Sequence, residues 1–363
     1  MKKIRLFSPS INNKELKAAE KTLKSLNWAS GAGKGKVLEF EKKLKNYFNA
    51  KDCIALDNGT AALHLSLNII DVKSKEVLVP SLTFVSTIHS VLYNGGIPVF
   101  VDVDPKTLCL DIVDLETKYS KNTKAIIPMH FGGFPCDMEK INGFAKKKSL
   151  HIIEDAAHAC GSNISGKKIG STSEMVCFSF HPVKNLSVPK GGAIAVNTKN
   201  TKEIRKKLNS LRWCGIDNRN DSFYDITNLG YNFYMDEISA TIGIEQLKKL
   251  DKLNKIRLKI AKRYYEELEF ENKMPINSDC CYHLYWVLVK NRRKFIEKMK
   301  LSGIETGTHY RPIHFMSYYK SKIKLPVTER AGNEIVTLPM HANLKDSDVD
   351  FIVNVANKIK NSL

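Results

Sequence analysis

Short apolar runs alternate with longer stretches whose apolar positions recur at helical spacing. "CIAL" reads as a strand and "GTAALHLSLNI" after it as a helix. "EVLVP" is a strand, "FVSTIHSVLYNG" a helix and "IPVFVDV" a strand. "KAIIPMH" is a strand before the helix "DMEKINGFAKKKS", and "LHIIED" and "MVCFSF" are two more strands. These strands are apolar throughout, as expected when both faces are buried. Strand–helix alternation of this kind predicts an α/β fold with a mostly parallel sheet under helices.

Beyond about residue 197 the pattern changes. "MDEISATIGIEQLKKLDKLNKIRLKIAKRYYEEL" is one long helical pattern with an expected break near Leu250. "CYHLYWVLV" reads as a strand and "RRKFIEKMKLSG" as a helix ending at Gly303. "DSDVDFIVNVANKIKNSL" is a closing helix with Asp346 or Ser347 as its expected cap. The division expected is a large domain over residues 1–245 and a smaller α+β domain over 246–363. No repeat, low-complexity tract or long linker interrupts it.

Composition narrows the function classes. With 363 residues and 43% hydrophobic content, the chain can bury a sizeable core, and disorder is not the expectation. The formal net charge of +19 points to anionic partners. The cations are spread over "KKIR", "KKLK", "AKKKS", "IRKKL" and "NRRKF", mostly within helical patterns, so solvated helix faces are the expectation. Neither zinc-finger spacing nor an aromatic RNA-binding strand supports a nucleic-acid partner. The eight cysteines include no C-x-x-C pair, and several sit in apolar runs, as reduced thiols do. "MKKIRLFSPS" lacks the apolar core of a signal peptide. "VLVPSLTFVSTIHSVLY" carries Pro80, His89 and several hydroxyls, so no membrane span is expected. A reduced, cytoplasmic protein is the expectation.

Two stretches imitate a phosphate-binding loop. "GSNISGKK" ends on Lys168 where a hydroxyl belongs, and no helix follows, so a hairpin turning on glycine is expected. "SGAGKGKV" has Ser30 in place of the leading glycine.

Chemistry concentrates at two strand ends. "LHIIED" runs into Glu154 and Asp155, then the small residues of "AAHACGS". Ligands of open α/β sheets bind at the carboxyl ends of strands, so an acid there can meet a cation. "HPVKNLSVPKGG" follows the next strand and carries Lys184. Taken alone, Asp155 has the ordinary explanation of a helix cap and Lys184 that of a surface lysine. Together they are what pyridoxal phosphate requires: a carboxylate for the ring nitrogen and an amine that can form an imine. Gly59 and Thr60, at the start of a helix, would offer backbone N–H groups and a hydroxyl to the phosphate. Ser179 could add another hydroxyl.

With these residues in place, the chain resembles the DegT–DnrJ–StrS sugar aminotransferases, fold-type I enzymes dependent on pyridoxal 5'-phosphate. The resemblance runs through "LFSPSI", "NGTAALHLSL", "VPSLTFVSTIHSVLYNGGIPVFVDVD", "EDAAHACGS", "SFHPVKN", "NLGYNFYMDEISATIGIEQLKKLD", "HLYWVLV", "GIETGTHYRPIH" and "LPMH". It implies that Lys184 carries the cofactor and shuttles the proton, and that Asp155 pairs with the pyridinium nitrogen. It implies further that Phe84 stacks on the ring, that Gly59, Thr60 and Ser179 hold the phosphate, and that His158 stands near the ring hydroxyl. Asn232 would reach the phosphate of a neighbouring subunit in a homodimer with shared sites. His309, Tyr310 and His314 would line the sugar side.

The implied reaction moves an amino group, with L-glutamate as the expected donor, to a keto-sugar, nucleotide-linked by expectation. A dehydratase relative would carry histidine in place of Lys184. Cyclitol ketones, small phosphorylated ketones and a cofactor-loaded regulator are the other readings. Two departures stand out: Val188-Pro189-Lys190 where relatives carry a small-residue loop with an acid, and Phe233-Tyr234-Met235 where an arginine is common.

Overall fold

The computed structural model describes residues 3–29, 31–319 and 321–363. Seven strands form the central sheet: β1 (Asp52–Leu56), β2 (Glu76–Pro80), β3 (Ile97–Val101), β4 (Thr123–Ile126), β5 (His151–Asp155), β6 (Met175–Ser179) and β7 (Gly192–Val196). Their spatial order is β1-β7-β6-β5-β4-β2-β3. β7 is antiparallel to both its neighbours, and the remaining pairings are parallel. The apolar runs are buried on both faces, with Ile54, Val79, Ile126, Ile153, Val176 and Ile194 fully enclosed. The mostly parallel sheet therefore follows from the pattern.

The helices Gly59–Ile70, Val85–Tyr93 and Met138–Lys148 fall where the 3.6-residue period puts them. The helix Glu237–Glu267 runs without the expected interruption, and Leu250 is simply one of its buried residues. It passes through position 245, the expected domain boundary. The closing helix begins at Asp346, but neither Asp346 nor Ser347 caps it: the N–H of Lys345 donates to the Asp348 carboxylate at 3.1 Å.

The two phosphate-loop imitations resolve into ordinary structure. Asn163–Ile164 and Lys167–Lys168 form a small hairpin, with Ser165 and Gly166 at positive φ in its turn. In the second stretch, the helix Gly35–Phe48 has its N-terminal amide at Lys36 bonded to the carboxylate of Glu237. Ser30 lies outside the described residues.

In the C-terminal third, β8 (Tyr285–Leu288) pairs antiparallel with β9 (Ile335–Leu338). The expected strand over 281–289 is thus shortened at its front. The reason is competition for its amides: Cys281 N–H donates to Ser162 Oγ at 3.0 Å and His283 N–H to Gly132 O at 2.8 Å. These residues dock against the segments that follow β4 and β5 instead of extending the ribbon. The beginning of the chain also reaches this part, as Ile4 exchanges backbone hydrogen bonds with Gly303 and Glu305. All eight cysteines are free, and only Cys214 is exposed. Among the described residues, no helix is long and apolar enough to cross a membrane.

Candidate active site

The carboxyl ends of β5 and β6 open on a cavity of about 330 Å³. Asp155, Lys184, Gly59, Thr60, Phe84, His158, Ser179, His309 and Tyr310 all line it. Asn232 and His314 do not.

Asp155 ends β5 with its side chain 3% exposed. Thr87 Oγ donates to its Oδ2 at 2.8 Å and the Ala157 N–H to its Oδ1 at 3.1 Å. Burial pushes the carboxyl above its ordinary range, while Thr87, Ala157 and the nearby Lys184 charge hold it back. Glu154, one position earlier, serves the other face of the strand, bonded to His130 at 2.7 Å and Thr172 at 2.7 Å. The period of two thus gives one acid to the cavity and the other to the scaffold.

Lys184 sits in the turn after β6, its N–H bonded to His181 O at 2.8 Å. Burial lowers its amine to about 8, against the opposing pull of Asp155. An amine that titrates near neutrality is a usable nucleophile and proton carrier.

The cradle forms where two helices begin. Thr60 Oγ lies 2.7 Å from Ser86 Oγ, joining the first turns of the helices Gly59–Ile70 and Val85–Tyr93. Asn58 caps the former, accepting from Ala61 N–H at 2.8 Å. A Cβ on Gly59 would stand 2.8 Å from Ser179 Cβ, and one on Gly192 would stand 2.4 Å from Asn58 C and O. Glycine at both positions lets the helix start press against the ends of β6 and β7. That helix start and Ser179 line the same cavity, where helix-start amides suit an anion. Phe84 is 55% exposed at the mouth, its ring 6.0 Å from that of Tyr310.

On the far side, the Gly132 N–H donates to His158 Nδ1 at 3.2 Å, and His158 Nε2 lies 3.0 Å from Tyr310 Oη. Burial holds His158 neutral, with its pKa well below the ordinary range, and raises that of the Tyr310 hydroxyl. His309 bonds Thr337 Oγ at 2.8 Å, and burial takes it down to about 4.

His314 is buried away from the cavity, with its Nδ1 2.7 Å from Ser81 Oγ. Asn232 is exposed, in a backbone bridge with Trp213. Of the departing residues, Lys190 forms a 2.9 Å ion pair with Asp57 at the cavity rim, and Pro189 lines the wall beside it. Tyr234 lies outside the wall.

Sequence reasoning missed Thr87, His283 and the pair Gly132–Gly133. His283 Nε2 is 3.4 Å from Lys184 Nζ. The available signal for it was a polar ring inside the otherwise apolar run "CYHLYWVLV".

A buried carboxylate, a low-pKa lysine and a glycine-lined helix start on one cavity fit pyridoxal phosphate. This sheet with this site defines a fold-type I pyridoxal phosphate enzyme. A model of the DegT/DnrJ/EryC1/StrS aminotransferase family matches residues 9–357, and the chain belongs to that family. It is 34% identical to the GDP-perosamine synthase of Caulobacter vibrioides, over 92% of each chain. A putative sugar aminotransferase of Streptococcus pneumoniae superposes with a TM-score of 0.94 at 27% identity, covering 99% of this chain and 98% of that one. That protein is known in apo, PLP and PMP forms. PseC of Helicobacter pylori, an aminotransferase involved in pseudoaminic acid biosynthesis, gives a TM-score of 0.93 at 26% identity over the whole of both chains. The protein is a pyridoxal phosphate-dependent sugar aminotransferase, with a keto-sugar and an amino donor as its substrates.

Proposed function

We propose that the enzyme transfers an amino group from L-glutamate to a nucleotide-linked keto-sugar, supplying an amino sugar for a surface glycan. The observation that carries this reading is the presence of Lys184 and Asp155 on one cavity beside the helix-start cradle. The name GDP-perosamine synthase, borne by a relative, supports the nucleotide linkage.

The cofactor, when bound, supplies the electron sink for the amino-group exchange. Gly59, Thr60 and Ser179 would hold its phosphate, Asp155 would keep the ring nitrogen protonated, and Phe84 would cover the ring. Lys184 Nζ would hold the cofactor and carry a proton to and from the substrate carbon. His158 orients Tyr310, whose hydroxyl donates into the site, and His309 faces the sugar.

The sites are shared across a homodimer in this reading. Asn232 is exposed and does not line its own chain's cavity, and nearby Phe223 and Leu229 are 82% and 89% exposed. The division into a cofactor-binding part over 1–245 and a smaller part over 246–363 belongs to the same reading. So does a cytoplasmic location, where eight unpaired cysteines keep their thiols.

The test is spectroscopic. L-Glutamate should convert the aldehyde form of the cofactor to the amine form, and a screen of keto-sugar nucleotides should reverse it with an aminated product by mass and NMR. Lys184→Ala should abolish the half-reaction. Normal turnover in that variant would sink the assignment.

A further inference from the structure

His283 is the side chain that the fold delivers to the lysine. Its ring is 3% exposed and fixed on two sides. It stacks on Phe7 at 5.5 Å and 14°, and the His158 ring stands 4.5 Å away. Its N–H is held by Gly132 O. Gly132 and Gly133 both have positive φ, and a Cβ on Gly133 would stand 2.9 Å from Cys281 Sγ and 3.3 Å from His283 N. That Cβ would also stand 2.8 Å from His158 O, so glycine here admits both the 281–283 segment and the His158 backbone.

The charged and titratable groups around Lys184 are Asp155 on β5, His158 beyond it, His181 in the same turn, His283, and His309 with Tyr310 from the C-terminal part. Arg257, from the long helix, adds its charge to those acting on His283. Among the described residues, the only hydrogen-bond partner of Lys184 Nζ is His283 Nε2, at 3.4 Å. Asp155 spends its oxygens on Thr87 and Ala157 instead.

The direction of the contact follows from valence. With its amine titrating at about 8, Lys184 is mostly an ammonium at neutral pH, and an ammonium has donors only. The imidazole nitrogen facing it must carry the lone pair. Burial and the surrounding positive charge keep His283 neutral, so its single ring proton is on Nδ1.

We infer that His283 is a positioning residue for Lys184: its unprotonated Nε2 accepts one N–H of the ammonium and holds the amine in place. The inference rests on Lys184 being the reactive lysine of the proposed aminotransferase, but its test reads the amine itself.

The apoenzyme is labelled with acetic anhydride across a pH range, and the Lys184 peptide is quantified by mass spectrometry. In the unaltered protein the midpoint should lie near 8. His283→Phe keeps an aromatic ring against Phe7 but has no acceptor. Its midpoint should fall by about one unit, because a hydrogen bond to the charged form is lost. His283→Gln, which retains an acceptor, should recover at least half of the shift. An unchanged midpoint in folded His283→Phe overturns the inference. A second measurement needs no change at position 283: ¹⁵N NMR of histidine-labelled protein, with the His283 signals identified by their change in Lys184→Ala. The expected pattern is a protonated Nδ1 and a bare Nε2, and a protonated Nε2 overturns the inference. Neither readout uses transamination, so a failure of the functional reading would appear elsewhere, in the glutamate half-reaction.

Discussion

Gly132 fixes the tautomer of His158. Its N–H donates to Nδ1 at 3.2 Å, which forces the proton of the neutral ring onto Nε2, facing Tyr310 Oη at 3.0 Å. Tyr310 therefore accepts from His158 and is left with its own proton to give to the cavity.

Replacing Tyr310 with Phe removes that donor and keeps the ring. We expect kcat to fall about 10-fold, the worth of one hydrogen bond of about 1–1.5 kcal/mol. Melting temperature should be nearly unchanged. His158→Phe should lower kcat similarly through loss of orientation, and adding Tyr310→Phe to it should cost little more. Full additivity in that double-mutant cycle would break the proposed link.

Thr87 tunes Asp155. Its hydroxyl lowers the pKa of a carboxyl that burial has raised. Thr87→Val removes the lowering effect, so the carboxylate is protonated at a higher pH as the solution is acidified. The acid limb of the kcat profile should move up by about one unit, from loss of a bond worth about 1.5 kcal/mol. Asp155→Ala should remove activity by orders of magnitude while circular dichroism stays native.

Gly192→Ala tests the cradle through the backbone. The added carbon would stand 2.4 Å from Asn58 C and O, where no flexible side chain can yield. Stability should drop by about 1–3 kcal/mol in urea titration. Cofactor affinity, followed by absorbance, should fall with it because the helix start moves.

Lys190→Glu places a second acid beside Asp57 at the rim. For a phosphorylated or nucleotide-linked sugar, KM should rise about 10-fold at low salt and by less at high salt, because the 64% exposed side chain is readily screened. The half-reaction with glutamate should change less. Equal changes in both halves would mean that Lys190 does not face the sugar.

Much of this site was legible in the sequence because it depends on local order. β5 is a five-residue run ending in Asp155, and the turn carrying Lys184 directly follows a strand of the same kind. Period and strand-end logic reach both. His314 shows the limit: position in a motif suggested the cavity, but the ring turned to Ser81, whose place in space comes from another strand. His283 was invisible for the complementary reason. Its segment looks like strand, and only the distant turn at Gly132 diverts it by claiming its amide. Contacts across more than a hundred residues leave no periodic trace. The helix Glu237–Glu267 runs unbroken through lysines near its middle: Lys248 and Lys252 lie exposed, while Lys249 pairs with buried Glu15.

Gly132 has no side chain and forms no part of the cavity wall, yet its two polar atoms steer two rings: the N–H sets His158 and the carbonyl seats His283. Its φ of 65° excludes a casual replacement. A mutational library drawn only from wall-lining side chains would leave this control untouched. Conversely, varying positions 158 and 283 independently would sample combinations that a single glycine must satisfy together.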